Sequence, residues 1–169
     1  RAWVLERIAL ARRGLGQLDQ FDTAKLDDSQ RLSAQLMRWM LDSVVRGEKY
    51  MDYRYPLDQF GGANVQLVET LTLRHPMATE KDASNYVKRL AQVGKRMDES
   101  LVEAQRLAGK NMIPPAFIIK TTLASMRTFR DVPAEQNALV TVLTQKMGAI
   151  QSLAPEQRTK LQAEATRLV

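Results

Sequence analysis

The chain has one histidine, His75, directly before Pro76, and three of its four tyrosines, Tyr50, Tyr53 and Tyr55, are gathered around Arg54. These are the side chains whose chemistry could reach beyond packing. An imidazole titrates near neutral pH and can move a proton or ligate a metal, but a catalytic zinc site takes two histidines and a carboxylate, so this chain cannot build one alone. His75 reads either as a helix-end residue bonding a backbone carbonyl or as a substrate contact supplied to a cleft. The tyrosines, with large rings and polar tips, read either as a binding rim or as a loop that packs its rings on its own domain. The acidic pairs Asp27-Asp28 and Asp98-Glu99 are sequence neighbours. On a helix such neighbours diverge by about 100°, so they read as caps and solvated positions. The absence of cysteine removes thiolate nucleophiles, disulfides and cysteine-ligated metals. No Gly-rich phosphate loop, Gly-x-Ser-x-Gly elbow or His-Glu-x-x-His helix occurs.

The elements that must hold these residues are helical. With 169 residues, 44% apolar and 26% charged, the chain has the size and composition of one globular domain with a sizeable core. No stretch of about eighteen apolar residues is present to span a bilayer, and no signal-peptide pattern is visible. Helical spacing already runs through Trp3, Leu5, Ile8 and Leu10, as though the sequence opens inside or just before a helix, which points to a piece of something longer. The net charge of +6 suggests nucleic acid as a partner, yet it is distributed as +2 over residues 1–50, −2 over 51–80, +3 over 81–110 and +3 over 111–169. A phosphate-binding footprint is clustered, and pairs such as Lys95 with Glu99 look like a solvated helix face, so nucleic acid is not expected as a partner.

The spacing predicts a first helix over residues 2 to about 15, ended by Gly14 and Gly16. A second helix is capped by Asp27, Asp28 or Ser29, carries Leu32, Leu36, Trp39, Met40 and Val44 on one stripe, and closes near Gly47. Tyr50 to Gly62 is a long irregular segment, and a short helix runs from Asn64 to about Leu73, broken at His75-Pro76. Thr79 with Asp82 resembles a capping box opening the next helix, whose apolar row runs from Tyr86 to Ala108 with a kink or break at Gly94. Gly109 and Asn111 stop it, with Gly109 expected to take the left-handed cap, and Pro114-Pro115 launches the next. Asp131-Val-Pro133 ends that helix, Ala138 to Ile150 makes another, and Ala154-Pro155-Glu156 starts the last. Met37, Met40, Met97, Met126 and Met147 fall on helical stripes as core filler. No segment alternates at period two, so the expected fold is all-α, a bundle-like array of six to eight helices in a single domain with no significant sheet.

Certain residues in their order carry a resemblance. Tyr55-Pro-Leu-Asp-Gln-Phe-Gly61, His75-Pro-Met-Ala-Thr79, Asp82-Ala-Ser-Asn-Tyr86, Arg89-Leu90, Met97-Asp98, Ala108-Gly109 and Ile113-Pro-Pro115 follow one another as in the N-terminal half of the bacterial domain of unknown function 885 family, most clearly from about Leu26 to Met126. The resemblance implies a long, all-helical, exported or lipid-anchored protein of the periplasm or cell envelope. It also implies a zinc metallopeptidase whose His-Glu-x-x-His helix lies in a later part and whose substrate cleft runs between two helical walls. This chain ends before any such motif, so it carries no catalytic residue, metal ligand or cofactor of its own, with zinc expected in the full-length protein. By the same analogy its helices form one wall or lid of the cleft, and Tyr53, Tyr55 and His75 are its cleft-facing candidates. The partners implied are the C-terminal part of the parent protein and a peptide substrate, with a homodimer as a further arrangement. The competing reading is a self-sufficient helical interaction module that docks a partner through an exposed apolar stripe.

Overall fold

The computed structural model describes residues 1–169, Thr23 by its backbone only. Its α-helices are α1 (Ala2–Leu18), α2 (Asp28–Arg46), α3 (Ala63–Glu69), α4 (Glu80–Leu90), α5 (Val93–Ala108), α6 (Ala116–Arg130), α7 (Ala138–Met147) and α8 (Pro155–Leu168). No described residue lies in a strand, so the helical periodicity read from the sequence gives the right fold class, and no helix is long and apolar enough to cross a membrane. The chain divides into two compact units, Arg1–Arg54 and Tyr55–Val169.

The first unit is a hairpin of α1 and α2. Asp27 caps α2 as its sequence predicts: its carboxylate accepts from the Gln30 N–H at 2.7 Å, and Gln30 Oε1 accepts from the Asp27 N–H at 3.0 Å. Two expectations fail here. Gly14 and Gly16 do not end α1, which continues to Leu18. A Cβ on residue 14 would lie 3.0 Å from Leu41 Cδ1, so this glycine serves the close approach of two helices rather than a turn. The row Leu32, Leu36, Trp39 and Met40 is not core, being between 55 and 65% exposed, and Met37 is exposed with it. The apolar residues of α2 occupy two faces: Ala34, Leu41 and Val45 are half-buried and at 3.6 residues per turn lie opposite the exposed row, while Val44, the last residue of the predicted stripe, is half-buried at its edge. Periodicity finds both faces without saying which one meets α1. Among the described side chains of this unit only Ile8 and Ala11 are fully buried. Arg1 with Asp52 at 2.8 Å, Arg38 with Asp19 at 2.7 Å, and Arg12 with Glu48 tie the hairpin along its exposed edge, where each pair adds little.

The second unit holds the main core. Leu71, Ala83, Tyr86, Val87 and Leu90 pack with Leu139, Val140, Leu143, Met147, Ile150, Leu153, Leu161 and Ala165, which joins α4 to α7 and α8. Of the five methionines expected in the core only Met147 is fully buried, whereas Met97 and Met126 are half-buried. α3 runs into a π-helical turn, Thr70–Arg74, whose wider winding frees backbone carbonyls. One of these, on Thr72, accepts from Lys146 Nζ of α7 at 2.7 Å. Thr79 and Asp82 form the predicted capping box of α4.

The break between α4 and α5 falls at Ala91-Gln92, not at Gly94, which lies in the first turn of α5 with open space beside it. α4 stops where its buried row Ala83, Tyr86, Val87 and Leu90 runs out. The left-handed residue after α5 is Asn111, with φ of 57°, while Gly109 stays right-handed at φ of −61°. The Met112 N–H bonds the Leu107 carbonyl at 3.0 Å and the Asn111 N–H bonds that of Ala108 at 2.9 Å, the paired bonds of a Schellman end centred two residues later than the glycine suggests. Lys95 is not the ion-pair partner of Glu99 either. Arg96 takes that place at 2.7 Å, and Arg106 pairs with Glu103 at 2.7 Å.

Candidate functional site

Two neighbouring cavities indent the second unit. The larger, of about 570 Å3, is walled by Val65, Leu67 and Val68 of α3, Val93 and Met97 of α5, and Leu123, Met126 and Phe129 of α6, with Leu139 of α7 beneath. Its polar members are Asn64, Glu69, Ser125, Arg127 and Arg130. α6 buries only Thr122 completely, so its Leu123, Met126 and Phe129 wall a hollow more than a packed seam. Such a space accepts an apolar side chain and carries charge only in a few places.

The second cavity, of about 490 Å3, shares Leu67 and Val93 with the first. Thr70 and Leu71 of the π-helical turn line it, as do Arg89 at the end of α4, Gln92 in the break, and Lys95, Arg96 and Glu99 of α5. Three cations therefore meet one carboxylate. Arg96 donates to Glu99 at 2.7 Å, and this hydrogen bond, reinforced by the charges of Arg96 and Lys95, holds the Glu99 carboxyl below the usual carboxylate range. The charge of Arg96 is thereby answered within the cavity.

Arg89 is oriented differently. Its guanidinium lies 2.8 Å from Nδ1 of His75, and a guanidinium can only donate, so Nδ1 must be the acceptor. The remaining Nε2–H then donates to the Asp82 carbonyl at 2.9 Å. The His75 ring, buried at 4% exposure, also stands edge-on to Tyr86 with centroids 5.3 Å apart. His75 is thus a neutral imidazole bonded through both nitrogens, and it aims Arg89 without cancelling its charge. A ring in that state has no lone pair left for zinc, and among the described residues no three His, Cys, Asp or Glu side chains gather to hold a metal.

Of the three cleft-facing candidates read from sequence, Tyr53, Tyr55 and His75, none lines either cavity. His75 is interior, Tyr55 is half-buried in the second unit, and Tyr53 belongs to the first unit, 76% exposed, with its ring edge-on to that of Tyr50 at 6.1 Å. What sequence reasoning missed is the cationic set. Arg89, Lys95 and Arg96 look like a solvated face in one dimension, and only the chain break at Ala91-Gln92 brings the first of them beside the other two.

The comparisons with known proteins add one result and two blanks. The family model for bacterial proteins of unknown function (DUF885) matches residues 1–169, the whole chain, which extends the resemblance beyond the Leu26 to Met126 stretch. No curated protein and no solved structure matches. An all-helical chain matched from its first residue to its last belongs to the DUF885 family of bacterial proteins.

Proposed function

We propose that this chain is a non-catalytic helical segment of a zinc-dependent metallopeptidase of the bacterial cell envelope, and that its second unit forms one wall of the substrate cleft. The observation that carries the reading is the apolar cavity between α3, α5 and α6, which has the volume of a ligand pocket and includes a few charged groups in its lining. On this reading the metal and the hydrolytic chemistry belong to residues outside this chain. The contribution of this segment is to hold and orient the peptide. The test is to purify the whole gene product and measure bound zinc and peptide hydrolysis, then to repeat both with Met126→Lys in the cavity wall. Stoichiometric zinc, hydrolysis, and a raised KM at unchanged kcat and zinc content are expected. A product with neither zinc nor hydrolysis overturns the reading.

A second reading is favoured by the exposed row Leu32, Leu36, Trp39 and Met40 of α2, which suits an interaction module docking a helix or an apolar surface. It predicts that Leu36→Glu abolishes association of the isolated chain and leaves any hydrolysis by the whole product untouched.

A further inference from the structure

We propose that the cavity lined by Arg89, Lys95 and Arg96 binds a carboxylate, namely the free C-terminal carboxylate of a short apolar peptide. The charge count is the first argument. Arg96 is matched by Glu99, Lys95 reaches the same carboxylate only through space, and among the described residues no ion pair involves Arg89 or Lys95, so three cations face this space against one carboxylate. The second is preorganisation. Arg89 hangs from the buried His75 through a bond that fixes its direction and leaves its charge intact, which lowers the ordering cost of binding an anion in a fork of N–H donors.

A third argument comes from the backbone. The cavity takes in Thr70 and Leu71, the first two residues of the π-helical turn, a form that recurs at binding sites because it widens the helix where a ligand sits. The apolar requirement follows from the neighbour: Leu67 and Val93 line both cavities, so a ligand whose charge sits in one has the apolar wall of the other beside it. A bare inorganic anion would use only half of this surface. The choice of a peptide rests on the peptide-cleft reading above, whereas the anion site itself needs no catalysis.

The experiment is a titration of the 169-residue chain with N-acetyl-leucyl-phenylalanine and with its C-terminal amide, followed by calorimetry or amide chemical shifts. The free acid is expected to bind at least about tenfold more tightly than the amide and to weaken with added salt. Lys95→Ala, an exposed helix position where alanine keeps the helix, should lower the acid's affinity by about three- to tenfold and leave the amide's unchanged. Equal binding of acid and amide, no binding of either, or an unaltered acid affinity in Lys95→Ala each overturns the proposal. Inorganic phosphate binding more tightly than the peptide acid overturns the assignment to a carboxylate. Carboxylate binding by this chain alongside a whole gene product that cleaves no peptide would sink the peptidase reading and keep the site.

Discussion

The hydroxyl of Tyr86 on α4 donates to the backbone carbonyl of Leu139 on α7 at 2.8 Å, closing a span of 53 positions inside the core of the second unit. The ring is fully buried, and burial pushes its phenol up to about 12 from an ordinary value of 10.0. Tyr86→Phe keeps the packing and removes the bond, so it should lower stability by about 0.5–1.5 kcal/mol at neutral pH, read from the denaturant midpoint. Because the native phenol holds its proton more tightly than the unfolded one, its contribution is whole below pH 10 and is lost as pH rises through 12. The gap between wild type and Tyr86→Phe should therefore close across that window. A gap that stays constant to pH 12 would show that the phenol is not held this way.

At the other end of the pH scale, Asp82 accepts from the Thr79 hydroxyl at 2.8 Å and from the N–H groups of Thr79 and Ala78 at 2.9 and 3.1 Å. The Thr79 hydroxyl is the main cause that holds this carboxyl below its ordinary 3.8, with the two N–H groups adding to it. A depressed native value means stabilisation that is present above that ordinary value and lost as pH falls through the native one. Thr79→Ala should cost about 1 kcal/mol at pH 7. Asp82→Ala should flatten the acid limb of the stability curve below pH 4, followed by circular dichroism in urea.

Asn111 offers a test of local conformation. Its positive φ is cheap for glycine and costly for a β-branched residue, so Asn111→Gly should leave the melting temperature within error or raise it. Asn111→Val should lower stability by about 1–2 kcal/mol. The reverse order would mean that the helix end is not built around this residue.

Gly62 is required for space, not for a special φ. A Cβ there would lie 2.8 Å from Leu57 Cα and collide with the backbone nitrogen of Asp58 and the side-chain oxygen of Asn64. Gly62→Ala should cost about 1–3 kcal/mol. Gly61→Ala, whose added carbon meets nothing nearer than 3.9 Å, should be close to neutral in the same thermal melts.

Much of this fold is legible along the chain because its signals are local. The caps at Asp27 and Thr79, the Pro115 start and the stop before Pro133 each depend on residues within one turn, and all four stand where the sequence puts them. What fails is what needs a partner. The row on α2 is apolar but faces away from α1, Gly14 is a contact rather than a stop, and Met37 and Met40 follow the same misread face. The cationic cavity could not be read because its members belong to two helices and a turn, each with an ordinary charge pattern. His75 hid its part for the same reason: nothing in sequence links it to Arg89, fourteen positions on.

The reach of Tyr86 to Leu139 also orders events during synthesis. The hairpin of the first unit closes contacts such as Gly14 with Leu41 over a short loop and can form as soon as α2 has emerged. The core of the second unit draws on Leu71 at one extreme and on Leu161 and Ala165 at the other. Its apolar surfaces must therefore wait, uncovered, until α8 is made. Between the emergence of α4 and that of α8 these surfaces are open to association with other chains, and slowing translation there should lower the soluble yield.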